Sequence, residues 1–373
     1  MVSGQLHGAD AAALAPTVRM GDAHDVGLVV LDFGGPQGPA ELVPFLSRLL
    51  HDVLPGPSAL RTLVAPIVAR LRARSVRPAY EAIGWSPIVP THRTQVAGMV
   101  HLLGTGAPPV ASGMMFTPPE MRDAVRALRA RARRWMALPM FPHYSYATSA
   151  AAFRFFREAL RAEGLDGAPV RWITAWPDHP LYVQAVAESV RAGIARLDGE
   201  GPVHLVFTPH GLPESFVRRG DPYPDHVRAT IDAVVRHLGW SEPWHLGWQS
   251  RVGPARWLAP STLDLLGRLG AEGVRRVCLV PVSFVSEHVE TLYELDVEVA
   301  RHAHRAGIAH LARAPALGAS PTFLSCLADL VRDALATPDT LPCVRCRTPI
   351  SAPYRACASC GAPVPEFLRP ADA

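Results

Sequence analysis

The chain has 373 residues, 49% of them hydrophobic and 19% charged, with a formal net charge of +4. That balance belongs to a folded globular protein with room for two ordinary domains, and it excludes a disordered chain. The positive charge is small, comes wholly from arginine, and is too scattered to form the basic stripe of a nucleic-acid-binding surface.

Residues 1–25 are rich in Ala and Gly and carry Asp10, His24 and Asp25. They lack the unbroken apolar core of a signal peptide and read as a loose tail. No apolar run reaches the roughly 18–20 residues that cross a bilayer, so a cytoplasmic location is expected. Gly27–Phe33 reads as the first strand and Gly34-Gly35-Pro36 as its exit loop; a double glycine alone is a weak phosphate signal. Leu60, Leu63, Val64, Ile67 and Leu71 then recur at helical spacing among Arg61, Arg70, Arg72 and Arg74. Periodicity alone makes this an ordinary surface helix, although an apolar face with a basic rim also suits peripheral contact with a membrane.

Two segments echo each other. Ala132–Pro139 and Val274–Pro281 both run from a pair of arginines through a short apolar strand to a proline, and helical patterns precede them at Glu120–Arg131 and Ser261–Leu269. Strands alternating with helices in this way build parallel sheets, so the expected architecture is α/β with two similar doubly wound lobes facing a cleft. The lobes are expected over residues 26–170 and 171–336, with the boundary near Gly167–Arg171.

The second half holds the chemistry. Val203–Phe207 is an apolar run ended by Thr208-Pro209-His210-Gly211, because proline cannot donate to a sheet ladder and glycine permits a close backbone approach. His210 therefore falls at the carboxyl end of a strand, where open α/β sheets place their ligands, although a lone loop histidine is more often a plain polar residue. Asp225 is the expected cap of a helix burying Val227, Ile231, Val234, Val235 and Leu238. Val277–Pro281 is a second such strand, followed by a helix capped by Ser286 that carries Glu287, His288, Glu290, Glu294, Asp296 and Glu298. Glu290, Glu294 and Glu298 share one face, where each like-charge pair costs about 0.2–0.5 kcal/mol. A solvated acidic face is the common explanation. A line of proton or cation sites leading into a pocket is the alternative that the strand end and the histidine favour.

The motifs PHGLP with RRGDPYP, GWQSRVGPARWLAP and VSFVSEHVETLYELD, together with LDFGGP near Leu31, YEAIGWSPI at Tyr80–Ile88 and PMFPHYS at Pro139–Ser145, resemble the ferrochelatases. These enzymes insert ferrous iron into a porphyrin, and the likeness covers roughly residues 26–335. It implies two Rossmann-like lobes without a nucleotide, an apolar lip at the Leu60–Arg74 helix, and Arg72 among the arginines that pair with porphyrin propionates. It also implies that Gln249, Ser250 and Arg251 lie near the pocket; Trp257 and Phe284 are the candidate contacts for a flat apolar ring, although such aromatics are more often core residues. Porphyrin metallation releases two pyrrole protons, so a base near neutral pH is needed, which is the range of histidine. His210 is the expected acceptor, Glu290 its partner, Glu294 and Glu298 the outward relay, and His288 an aid to metal or proton traffic; His210 and Glu290 are also the candidates to face the incoming iron. One departure stands out: where the family usually has arginine and tyrosine, this chain has Met115 and Phe116. The expected substrate is protoporphyrin IX. Coproporphyrin III, or a non-catalytic haem- or porphyrin-binding role on the same fold, are the alternatives.

Cys278 and Cys326 fall in a strand and a helix and read as small buried hydrophobes. Cys343 and Cys346, then Cys357 and Cys360, form paired CxxC knuckles in a Pro-rich tail over residues 343–361. That spacing is a strong metal signal of the four-cysteine ribbon type. All four ligands are local, which favours a structural zinc. The alternative is a two-iron two-sulfur cluster, which some members of the resembled family carry.

Overall fold

The computed structural model describes residues 25–251, 253, 255–336, 341–350 and 356–368. The expected tail lies outside these except for Asp25, as do Val252 and Pro254 of the QSRVGP motif and residues 337–340 of the linker before the cysteines. The first lobe runs β1 (Val26–Asp32), α1 (Pro39–Val53), α2 (Ser58–Ala82), α3 (Ile88–Leu103), β2 (Val110–Met114), α4 (Met121–Leu128), β3 (Arg134–Pro139), α5 (Ser149–Ala162) and β4 (Val170–Trp172). After α6 (Pro180–Ile194) come β5 (His204–Phe207), α7 (Glu214–Arg218), α8 (Tyr223–Leu238), β6 (Trp244–Leu246), α9 (Thr262–Ala271) and β7 (Arg276–Val280). A π-helix (Glu290–Val299) continues into α10 (Ala300–Arg305), followed by β8 (His310–Arg313) and α11 (Pro321–Ala336). Two short antiparallel strands, β9 (Leu341–Pro342) and β10 (Pro349–Ile350), belong to the cysteine tail.

Both four-stranded sheets are parallel and follow one plan, β2-β1-β3-β4 and β6-β5-β7-β8. The two echoed segments occupy the same place in each plan, as β3 and β7. The segment expected to join the lobes runs into β4, which hydrogen-bonds to β3 and so belongs to the first sheet.

Parallel strands covered on both faces must be apolar at nearly every position, and β1 is buried along its whole length. Alternate side chains then feed different cores. Leu28 and Val30 of β1 join Leu205 and Phe207 of β5 and Cys278 and Val280 of β7 in one central cluster with α6, α8 and α11. Val29 and Leu31 turn to a second cluster with α1, α4 and α5, while Val206, Val277 and Leu279 turn to a third with α9 and the π-helix. The two lobes are thus built around a shared central core. Gly193 on α6 fits this packing closely, since a Cβ there would lie 2.9 Å from both Ala314 Cα and Cys278 Sγ.

Two helix starts differ from expectation. Asp225 sits in the first turn of α8 rather than at its cap; the helix begins earlier, where Asp221 Oδ1 accepts the Tyr223 N–H at 3.0 Å. Ser286 does not cap the acidic helix, which starts four residues later; its buried Oγ instead accepts from Gln95 Nε2 at 3.3 Å. Among the described residues no helix is long and apolar enough to cross a membrane.

Candidate active site

His210 is held by backbone pairing that resumes after the strand-ending proline. Gln249 N–H donates to Pro209 O at 3.0 Å and Gly211 N–H donates to Gln249 O at 2.8 Å, so the histidine is fixed between two sheet-like bonds. Glycine is required at 211 because a Cβ would stand 2.8 Å from the Gln249 carbonyl. The Gln249 side chain is itself buried and accepts from Thr208 Oγ1 at 2.5 Å.

The acidic segment is a π-helix, a rare form that recurs at functional sites. Glu290 and Glu294 point to one place, where Ser250 Oγ lies 3.1 Å from Glu290 Oε2 and 2.7 Å from Glu294 Oε2. His210 Nδ1 lies 2.8 Å from the same Glu290 oxygen, and His288 Nε2 lies 3.9 Å from it. The His210 and Glu290 side chains remain 35% and 27% exposed, so the pair is open to a bound molecule. Ring neighbours surround the histidine: its centroid is 6.4 Å from that of Trp257 and 6.5 Å from that of Phe284, and Phe284 lies 4.4 Å from His288.

Charge follows from this geometry. Burial alone pushes the His210 pKa down, but the Glu290 carboxylate and its hydrogen bond more than reverse that and raise it above the ordinary value. Burial pushes Glu290 up, yet His210 pulls it down to about 2, so it is an anion and can only accept from Nδ1. Glu294 has no such partner; burial and the nearby Glu290 charge raise it to about 7. Burial lowers His288, which keeps it neutral at neutral pH.

Other expected residues lie apart. Glu298 is exposed farther along the helix, and Glu287 and Asp296 pair with Arg313 at 3.0 and 2.7 Å. Arg72 and Arg251 are exposed. Met115 and Phe116 are buried, with Phe116 edge-on to Phe33 at 4.8 Å. The α2 leucine stripe faces outward: Leu63 is 71% and Leu71 61% exposed, because Ala65, Ala69 and Ala73 form the packed face instead.

Sequence reasoning missed the network that joins the remaining motifs. Tyr223 Oη lies 2.7 Å from Ser283 Oγ, which lies 3.2 Å from His143 Nδ1; His143 Nε2 lies 2.8 Å from Thr230 Oγ1. Asp221 accepts from Ser145 Oγ at 2.9 Å and Tyr146 N at 2.8 Å. PHYS, GDPY and VSF are thus joined in one largely buried assembly. Their polar residues alternating with aromatics were the available signal.

The four tail cysteines converge, with all Sγ atoms within 4.8 Å of one another. The closest pairs are Cys343–Cys360 at 3.6 Å and Cys346–Cys357 at 3.5 Å. The tail packs onto the body of the protein. Leu341, Val344, Ile350, Val364 and Leu368 are buried in the first-lobe cluster, since so short a segment must borrow a core. Arg347 pairs with Asp178, and His226 Nε2 meets Arg345 O at 3.1 Å.

Two α/β lobes with four-stranded parallel sheets of one plan have the architecture of a chelatase-type protein. SirB from Bacillus subtilis, solved with Fe3+, shares the fold with a TM-score of 0.51 at 9% identity, covering 84% of this chain and 96% of that one. Residues 25–335 match the ferrochelatase family model. The ferrochelatase of Geotalea daltonii is 39% identical over 82% of this chain and 96% of that protein. That of Geobacter metallireducens is 37% identical over 82% and 98%, and that of Synechocystis 36% over 85% and 84%. The chain belongs to the ferrochelatase family, enzymes that insert iron into a porphyrin.

The raised Glu294 predicts a stability signature. A carboxyl raised from 4.5 to about 7 on folding contributes stability that is complete below pH 4.5 and lost as the pH rises through 7. Denaturation midpoints compared from pH 5 to 8 should fall less steeply in Glu294→Gln than in the native protein. Parallel curves would contradict the assignment.

Proposed function

We propose that the protein inserts ferrous iron into protoporphyrin IX, forming protohaem and releasing two protons, with His210 as the proton acceptor. The observation that carries the mechanism is the 2.8 Å contact of His210 Nδ1 with a Glu290 carboxylate. With Nδ1–H committed to Glu290, Nε2 is free to take a pyrrole proton, and the anion stabilises the imidazolium that results. Trp257 and Phe284 supply apolar surface for a ring, and His210 and Glu290 face the iron as it arrives. Gln249 holds the histidine loop through its backbone. Binding energy from ring contacts remote from the metal can bend the porphyrin so that its nitrogen lone pairs turn towards iron.

The lip supports the choice of porphyrin. Protoporphyrin has two propionates and otherwise apolar edges, whereas coproporphyrin has four. The outward Leu60, Leu63, Ile67 and Leu71 of α2 match an apolar edge, with Arg72 beside them for a propionate. The same surface suits an enzyme that works in the cytoplasm and rests its lip against a membrane.

The cysteine cluster is read as one structural zinc. Zinc–thiolate bonds of about 2.3 Å in a tetrahedron separate sulfurs by about 3.8 Å. The sulfur distances of 3.5 and 3.6 Å fit that spacing. A two-iron cluster would put such pairs on different irons and hold them farther apart than the 4.8 Å within which all four sulfurs lie. Held by Cys343, Cys346, Cys357 and Cys360, the ion would fix the tail's fold and take no part in the reaction.

Three outcomes are expected. Purified protein supplied with ferrous iron should turn over protoporphyrin at least about 10-fold faster than coproporphyrin by kcat/KM, a difference of about 1.4 kcal/mol; the reverse preference would reassign the substrate. His210→Ala should lower turnover by about 10²-fold or more while still binding porphyrin; retained turnover would remove the histidine from its role. Anaerobically purified protein should contain zinc and show no visible iron–sulfur absorption, and Cys346→Ser should lose the metal and melt earlier. A brown protein with acid-labile sulfide would identify a cluster instead.

A further inference from the structure

A second gathering of ligand side chains lies outside the His210 cluster and the cysteine tail. His179, Asp329 and Asp333 each bring one ligand atom to a common place, all within 4.8 Å of one another. His179 is the residue from which α6 starts, and the two aspartates stand four residues apart on α11, a spacing that puts both carboxylates on one face. α6 and α11 pack together in the central core, so the imidazole meets that face.

The imidazole is held in one orientation. Its Nδ1 lies 3.4 Å from Sγ of the buried Cys326, and Nε2 is thereby turned to Asp329 Oδ2, also at 3.4 Å. A ligating histidine has this arrangement, one ring nitrogen fixed by a neighbour and the other offered to the ion. A separation of 3.4 Å is long for a hydrogen bond, yet two ligand atoms each about 2.0–2.2 Å from one ion stand roughly 3–3.5 Å apart. The His179 side chain is 12% exposed and that of Asp329 44%, so the ring is shielded while the carboxylate stays open to an ion arriving from solvent.

Charge at this end of α11 also favours a cation. Asp333 lies in the last turn, at the negative end of the helix dipole, and Asp329 adds a like charge four residues before it. Arg332 turns away and donates to Leu102 O at 2.6 Å, while Arg171 donates to the Ala334 carbonyl. We infer that His179, Asp329 and Asp333 form a binding site for a divalent first-row transition ion of ferrous or manganous type. One imidazole with two carboxylates is softer than the all-oxygen sites of Mg2+ and Ca2+ and harder than the thiolates of the tail, and three protein ligands leave the remaining positions to water. The ion would tie the start of α6 to the end of α11, two helices of the central core.

Manganous ion is the probe, because its EPR signal reports the free ion and is lost on binding. Titrated into the full chain with its cysteine tail intact, Mn2+ should fill a site that is retained in His210→Ala and that raises the melting temperature. Asp329→Asn and Asp333→Asn keep the side-chain shape at positions open to solvent, so the fold is preserved. Each should weaken that binding by about 10-fold or more and remove the melting shift. Ferrous iron added without oxygen should displace the bound Mn2+, since affinity for one nitrogen–oxygen site rises from Mn2+ to Fe2+. Mn2+ bound equally well by both aspartate variants, or binding lost in His210→Ala and kept in Asp329→Asn, would overturn the site. So would native protein that binds no Mn2+ at about 1 mM.

Discussion

The contact between His210 and Glu290 organises the site because it joins the segments that follow two strands far apart in the chain and adjacent in space. β5 and β7 are neighbours in the second sheet, so the loops leaving them open on the same edge. A parallel sheet directs every strand's carboxyl end to that edge, which is why ligands gather there. One loop carries the imidazole and the other leads into the helix with the carboxylate. Their pairing keeps Glu290 ionised in surroundings that would otherwise neutralise it, and that fixed anion in turn raises both His210 and Glu294. Three groups within a few ångströms thus take different protonation roles from one interaction.

Beneath this edge the central core ties the lobes into a single body. α11 packs on α3 and α6, so the last helix of the second lobe closes against a helix of the first. Gln95 on α3 reinforces that closure by donating to Gly318 O at 2.8 Å and Val285 O at 3.2 Å, on the loops beside the π-helix. The cysteine tail adds a further link. Its apolar residues enter the first-lobe cluster while Arg345 reaches Asp225 on α8 at 3.6 Å. A segment with little core of its own gains stability from both lobes, and a metal held by its four thiolates would add to it.

Much of the fold was legible in the chain because parallel strands are continuous apolar runs and cannot be mistaken for polar loops. The echoed arginine–strand–proline segments announced the repeat that the two sheets display, and His210, Glu290 and the four cysteines stood out by position and spacing. The helix starts were less legible. Asp225 and Ser286 both have capping side chains, but α8 begins two residues before Asp225, where Asp221 takes the Tyr223 N–H, and the π-helix begins four residues after Ser286. The α2 stripe shows a deeper ambiguity. Periodicity establishes that Leu60, Leu63, Ile67 and Leu71 share a face, yet the alanines at 65, 69 and 73 share another, and only packing against α1 decides which is buried.

The amino-acid sequence by itself determined the α/β class, the doubled architecture, the candidate base and the metal knuckles, since each depends on local chemistry or on spacing along the chain. Tertiary structure alone decided that Glu290 and Glu294 converge on Ser250 while Glu298 stays in solvent, that Glu287 and Asp296 are held by Arg313, and that the tail packs into the body. Spacing of four residues puts carboxylates on one face of a helix but cannot say where along that face the protein ends and water begins. That limit is set by the neighbouring loop, forty residues or more away in the chain, and proton affinities follow from which groups that loop brings within hydrogen-bonding reach.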